Sequence, residues 1–227
     1  MRENLSAKEG KDMKQYSTII FDLDGTLLNT LKDLQLSVNY ALKKNSYPTR
    51  NADEVRRFVG NGIRKLVERA VPAHLSVADI DKVFKDFKVY YDAHATDNTA
   101  LYDGIDKILE VFNNECNLAI VSNKAQSAVD ILWKRFFSDT VPIAVGDVEG
   151  QQRKPAPDSV FKVMNHFNAK PEETLYVGDS EVDIETAKNA GIDCISVSWG
   201  FRDISELVRY GAKKIVNSPE ELIDELS

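Results

Sequence analysis

Five short apolar runs recur along the chain with helical patterns between them, and this alternation constrains the fold more than any other feature. The runs are "YSTIIFD" (16–22), "LAIVSN" (118–123), "VPIAVGD" (141–147), "TLYVGD" (174–179) and "DCISVSW" (193–199). Their continuous, β-branched-rich hydrophobicity suits strands covered on both faces, as in a parallel sheet. Helical patterns fall near 103–114, 125–136, 157–168, 181–190 and 203–210, and a weak strand "KKIV" (213–216) precedes a helix at 219–226. The alternation predicts an α/β fold, a doubly wound parallel sheet that binds ligands beyond the carboxyl ends of its strands.

Residues 31–99 break the pattern. They hold no convincing strand but carry helical patterns around 31–45, 62–71 and 77–95. So long a stretch is too much for a crossover loop, and a helical insert domain after the first strand is expected. The predicted organisation is therefore an α/β core of 16–30 and 100–227, a helical cap of 31–99, and a polar, frayed tail at 1–15. That tail, "MRENLSAKEGKDMKQ", lacks the apolar stretch of a signal peptide, and Met13 is an alternative start. Thr30 with Asp33 reads as a capping pair at the first insert helix. The insert has 12 Lys/Arg against 9 Asp/Glu, and the rest of the chain has 17 against 27. A mildly basic lid over an acidic core suits an anionic substrate, and a solvated helix surface accounts for so small an excess equally well.

Composition narrows the function classes. At 227 residues the chain is one large domain or a core with an insertion, and 43% hydrophobic residues support a real core. No run of 18 apolar residues exists, so no membrane span is expected. A net charge of −7 argues against nucleic-acid binding, which needs a basic face. Cys116 and Cys194 fit no metal spacing and read as buried free thiols, which suits a reducing cytoplasm.

Four polar features sit at or just after predicted strand ends, where one edge of the sheet would gather them. They are Asp22-Leu23-Asp24-Gly25-Thr26, then Ser122-Asn123, then Lys154 in "QQRKPAPD", then "GDSEVDIETAKNAG" (178–191) with Asp179 and Asp183. Each has a structural reading when taken alone: Asp24-Gly25 is good turn chemistry, Ser122, Asp179 or Ser180 can cap helices, and Lys154 can be a loop lysine. Together, Asp22, Asp24, Asp179 and Asp183 would put up to four negative charges in one pocket. Clustered carboxylates either raise one another's pKa or bind a cation. A hard divalent ion with oxygen ligands fits, and Mg²⁺ takes one or two carboxylates while accepting a phosphate oxygen. Lys154 adds a positive charge for phosphoryl oxygens, and Ser122 with nearby N–H groups adds donors.

In these motifs the chain resembles the haloacid dehalogenase superfamily, and within it the phosphoglycolate phosphatase-like group with a helical cap. The similarity runs from about residue 16 to 226 through "FDLDGTLLNT", "IVSNK", "RKPAPD" and "VGDSEVDIETAKNAG", with smaller matches at "VGNGIRKLVERA" (59–70), "YDGI" (102–105) and "WGFRD" (199–203). The resemblance implies that Asp22 is a nucleophile forming an aspartyl-phosphate and that Asp24 is its acid/base partner. It implies Mg²⁺ held by Asp22, Asp179 and the main-chain carbonyl of Asp24, with Asp183 acting through neighbours. Ser122 and Lys154 would grip the phosphoryl group, and Thr26 would support the loop and Asp24. Dehalogenases that attack carbon need neither the acid/base aspartate nor Mg²⁺, so retention of Asp24 argues against dehalogenation. Asn29 stands where many relatives have Asp, and "YDGI" lacks a frequent Pro; neither touches an assigned role.

Specificity is expected from the insert, whose "VGNGIRK" offers Gly60, Asn61, Gly62 and Arg64 to the substrate, with Asn123 opposite. Two glycines permit close backbone approach, and Arg64 is expected to reach a substrate carboxylate or second phosphate; a helix start with a surface Arg is the alternative. The expected partner is a small phosphorylated metabolite, 2-phosphoglycolate first, with sugar phosphates, nucleotides and pyrophosphate as competitors. The expected assembly is a monomer or homodimer. A phosphomutase uses the same covalent intermediate. A phospho-aspartate receiver needs only about half this length, no helical insert and no acid/base at Asp24; a catalytically idle binding protein of this fold is a further alternative, against which every assigned chemical position is intact.

Overall fold

The structure, a computed structural model, describes residues 16–227; the expected tail and Met13 lie outside the described residues. The strands are β1 (Thr18–Phe21), β2 (Leu28–Asn29), β3 (Ala100–Leu101), β4 (Asn117–Ala125), β5 (Ile143–Asp147), β6 (Thr174–Gly178), β7 (Asp193–Val197) and β8 (Ile215–Val216). Six of them form one parallel sheet in the order β5-β4-β1-β6-β7-β8. The helices are α1 (Leu31–Lys44), α2 (Ala52–Phe58), α3 (Gly62–Ala70), α4 (Val77–His94), α5 (Ile105–Phe112), α6 (Gln126–Phe136), α7 (Asp158–Phe167), α8 (Glu181–Ala190), α9 (Ile204–Arg209) and α10 (Pro219–Leu226).

The unbroken apolar character of the strands follows from this packing. In β1, Ile19 and Phe21 join the hydrophobic cluster that holds Ile105, Ile108 and Val129, while Ile20 points the other way to Val160, Val163 and Ala187. The same split separates Leu118 and Ile120 from Ala119 and Val121 in β4, and Leu175 and Val177 from Tyr176 in β6. A strand buried on both faces has no polar side to alternate with.

The chain leaves the core through β2 and returns through β3, which pair antiparallel with Leu28 opposite Leu101 and Asn29 opposite Ala100. Helices α1–α4 lie between and bury a cluster of their own, including Leu34, Val38, Leu42, Val67, Phe87 and Tyr91. The expected capping pair is corrected here. Thr30 precedes α1 without a side-chain cap bond, and its hydroxyl is buried with no partner among the described residues. Asp33 instead accepts from the backbone N–H groups of Asn98 (2.9 Å) and Thr99 (2.8 Å) and from the Thr99 hydroxyl (2.8 Å). A buried carboxylate gains more from several donors than from one capping bond, and the choice ties the two crossings together. The thiols are also corrected: Cys116 and Cys194 are free but half-buried, and burial pushes the Cys194 thiol up to about 12. Among the described residues, no helix is long and apolar enough to cross a membrane.

Candidate active site

Adjacent strands bring the polar residues together. In the sheet, Phe21 of β1 lies beside Ile120 of β4 and Val177 of β6. Asp22 therefore leaves β1 where Ser122 ends the apolar part of β4 and Asp179 follows β6. The Asp22 N–H still bonds to the Val177 carbonyl at 2.9 Å, which holds the nucleophile candidate to the sheet.

Carboxylate oxygens of Asp22, Asp179 and Asp183 lie within 4.8 Å of one another, and all three residues are buried. Each is fixed by its surroundings. Asp179 accepts from the Phe201 N–H (2.7 Å) and the Thr26 hydroxyl (3.2 Å). Asp183 accepts from the N–H (3.0 Å) and hydroxyl (2.7 Å) of Ser180, closing the capping box of α8. The expectation that Thr26 supports Asp24 is thus corrected, because its hydroxyl serves Asp179 within the core.

Glycines make room for this crowding. At Gly25, φ is +92° and a Cβ would stand 2.5 Å from Asp179 Oδ2. At Gly178 a Cβ would stand 2.3 Å from Asp183 Cγ. Any other residue at either place would push a carboxylate out of the cluster.

Lys154 is the counter-charge inside the cluster. Its Nζ lies 2.9 Å from Asp22 Oδ1 and 2.8 Å from Asp183 Oδ1, and it donates to the Tyr176 hydroxyl at 2.9 Å. One ammonium does not offset the burial of so many carboxylates. Desolvation, with the charges of Asp183 and Asp24, raises the Asp22 carboxyl to about 7 against the pull of Lys154. Burial and the charges of Asp183 and Asp22 hold Asp179 well above the usual carboxylate range. Three carboxylate oxygens gathered this closely fit the donor set of a hard divalent cation. The Asp24 side chain stands outside this group, and the resemblance assigns it only a main-chain oxygen.

Lys124 occupies that side chain, a pairing the sequence reading missed. Its Nζ lies 2.8 and 3.1 Å from the two Asp24 oxygens, and 5.1 Å from the centre of the Tyr91 ring of α4. The available signal was "SNK" itself: three polar residues closing β4, all buried. Asn123 bridges insert and core, donating through Nδ2 to the carbonyls of Gly60 (3.2 Å) and Lys154 (3.0 Å).

A cleft opens between these groups and the insert. The core lines it with Asp22, Asp24, Ser122, Asn123, Lys124 and Lys154, joined by Ser180. The insert lines it with Leu34, Val59, Gly60, Gly62, Ile63 and Leu66. Two expected cap residues are not among them. Asn61 accepts from Arg69 Nη2 at 2.7 Å, and Arg64 pairs with Glu68 (2.9 Å) and Asp81, its guanidinium 5.3 Å from the Phe84 ring. The face of α3 that carries Ile63 and Leu66 looks into the cleft, which turns Arg64 toward α4.

The family model for haloacid dehalogenase-like hydrolases matches residues 19–197. A phosphoglycolate phosphatase of Pseudomonas putida is 30% identical over 223 residues, covering 92% of this chain and 76% of the relative. A crystal structure from Lactobacillus delbrueckii subsp. bulgaricus superposes with a TM-score of 0.89 at 31% identity, covering 93% of this chain and 98% of that one. A predicted phosphoglycolate phosphatase from Haemophilus somnus superposes with a TM-score of 0.87 at 28% identity, covering 95% and 100%.

Sheet order, strand-end carboxylates and these matches define one class: the chain belongs to the haloacid dehalogenase-like hydrolases. Within that class it is a phosphatase of the phosphoglycolate phosphatase-like group.

Proposed function

We propose that the protein is a Mg²⁺-dependent phosphomonoesterase that hydrolyses 2-phosphoglycolate to glycolate through an aspartyl-phosphate on Asp22. The observation that carries this is the pairing at the β1 end. One buried carboxylate faces Lys154, and a second, two residues on, is held apart from it by Lys124. Asp22 and Asp179 side chains with the Asp24 carbonyl would hold the ion, while Asp183 steadies Lys154 and Ser180. When bound, Mg²⁺ offsets the clustered negative charge and polarises the phosphoryl oxygens.

In the first step an Asp22 oxygen attacks phosphorus, the P–O bond to the alcohol breaks, and Asp24 gives its proton to the leaving oxygen. In the second, Asp24 takes a proton from water, the water oxygen attacks phosphorus, and the bond to Asp22 breaks to release inorganic phosphate. Lys154 and Ser122 steady the phosphoryl oxygens. Lys124 fixes where the Asp24 carboxylate points, and it lines the cleft, whereas Arg64 pairs with Glu68 and Asp81 outside it. The helical insert acts as the cap that excludes stray water. The names of relatives such as the Pseudomonas putida phosphoglycolate phosphatase support the substrate, and the small space between Ile63, Leu66 and the core supports a short leaving group.

Phosphate release tests this across 2-phosphoglycolate, sugar phosphates, nucleoside monophosphates and pyrophosphate, with Mg²⁺ and with chelator. The expected result is chelator-sensitive turnover with 2-phosphoglycolate preferred by about tenfold or more in kcat/KM. Equal rates on all esters would remove the substrate but keep the reaction. Isomerisation of a sugar phosphate without release would replace hydrolysis by phosphoryl transfer.

A further inference from the structure

The segment "WGFRD" (199–203) has no part in the chemistry above, yet it touches both halves of the site. At its start, Trp199 donates from Nε1 to the Thr26 carbonyl at 3.0 Å, and the Phe201 N–H donates to Asp179 Oδ2 at 2.7 Å. At its end it grips the insert. Arg202, 6% exposed, forks onto Glu181 at the start of α8 through Nε (2.7 Å) and Nη2 (3.1 Å). Its Nη2 also donates to the Val59 carbonyl (2.8 Å), and its Nη1 to the Arg56 carbonyl (3.4 Å). In return Arg56 donates to the Phe201 carbonyl at 2.8 Å and pairs with Asp203 at 3.1 Å.

Val59 directly follows α2, and its carbonyl and that of Arg56 in the last turn are among those a helix end leaves unpaired. A guanidinium is suited to them, having planar donors in several directions while its other edge holds a carboxylate. The next residue is Gly60, with φ +122°, where a Cβ would lie 3.1 Å from Arg202 Nη2. Val59 and Gly60 both line the cleft. The same five-residue loop thus holds a carboxylate of the acidic cluster and the piece of the insert that faces it.

We propose that Arg202 is a positioning residue: it fixes the Val59–Gly62 segment over the reacting groups and so sets which leaving groups the site accepts. The kinetic consequence rests on the phosphatase reading; the placement does not. Hydrogen exchange and kinetics on Arg202→Ala and Arg202→Lys test it. Exchange at the amides of 59–63 is expected to rise by about tenfold in Arg202→Ala, with β1 and β4 unchanged. The preference for 2-phosphoglycolate over p-nitrophenyl phosphate is expected to fall by about tenfold, mainly through KM. Lysine keeps the charge but does not reach two carbonyls and a carboxylate at once, so it is expected not to restore protection.

Unchanged exchange at 59–63, or exchange raised equally through β1 and β4, would overturn the proposal. Should Arg202→Ala not fold, Glu181→Gln carries the test. Exchange about two- to fivefold faster at 59–63 then supports the proposal, and no change overturns it. A wild-type protein that hydrolyses no phosphoester would defeat the phosphatase reading, while the exchange result would still decide on Arg202.

Discussion

The two walls of the cleft are built on opposite principles. The core wall is polar, charged and buried, and its ionisable side chains have fixed partners: Lys154 on Asp22 and Asp183, Lys124 on Asp24, Thr26 and Phe201 on Asp179. The insert wall is aliphatic or glycine, and Arg64, on the helix that carries Ile63 and Leu66, pairs with Glu68 and Asp81 outside the cleft. Charges placed to fractions of an ångström determine which bond breaks. A wall of Leu34, Ile63 and Leu66 discriminates only by shape. Substitutions on the core wall should therefore change the rate by orders of magnitude, and those on the insert wall should shift preference.

The largest effect is expected at Asp22. Asp22→Asn keeps the volume and removes the proposed nucleophile, so kcat should fall by about 10⁴-fold or more in a phosphate-release assay. Residual turnover within tenfold of wild type would move the covalent step to another residue. Lys124→Met comes next and separates proton transfer from attack. Esters of poor leaving groups such as 2-phosphoglycolate should lose about 10²-fold in kcat as Asp24 loses its direction. p-Nitrophenyl phosphate, whose leaving group needs little protonation, should lose less than about tenfold. Equal losses on both would make Lys124 a general structural support.

The core wall also predicts a pH response that the insert wall does not. With its folded value raised to about 7, Asp22 holds a proton that the unfolded chain releases near an ordinary carboxylate value. Its contribution to stability is complete below that ordinary value and is lost as pH rises through about 7. Asp179 is shifted in the same direction. Metal-free protein should therefore melt a few degrees lower at pH 8 than at pH 5, and Mg²⁺ should raise the melting temperature more at pH 8. Asp22→Asn should flatten that dependence. A pH-independent difference between wild type and variant would detach the strain from Asp22.

The unequal legibility of the two walls in the sequence has the same physical origin. Strands β1, β4 and β6 were readable because both faces are buried, and the residues that leave them meet because neighbouring strands end together. Helix α2 was not foreseen: it buries only Val55, and its local sign was the Asn51–Glu54 capping box. Strands β2 and β3 have two residues each and exist through their mutual pairing, which no local pattern announces. Lys124 and Arg202 escaped for a related reason. A lysine at a strand exit and an arginine in a loop look like surface residues until the insert covers them. Arg64 failed in the opposite sense, because which face of α3 meets the cleft depends on packing against α4.

That last failure gives the finest test of the contrast. Ile63→Ala removes part of the shape-selective wall and should raise KM for 2-phosphoglycolate by about fivefold, with kcat little changed and bulkier esters better accepted. Arg64→Ala should do less still. Its guanidinium holds Glu68 and Asp81 at the surface of the insert, about a third exposed, where ion pairs contribute little. Both kcat and KM are expected within about twofold of wild type. A tenfold rise in KM confined to esters with a second negative charge would show that Arg64 swings into the cleft on binding, and the insert would then recognise charge as well as shape.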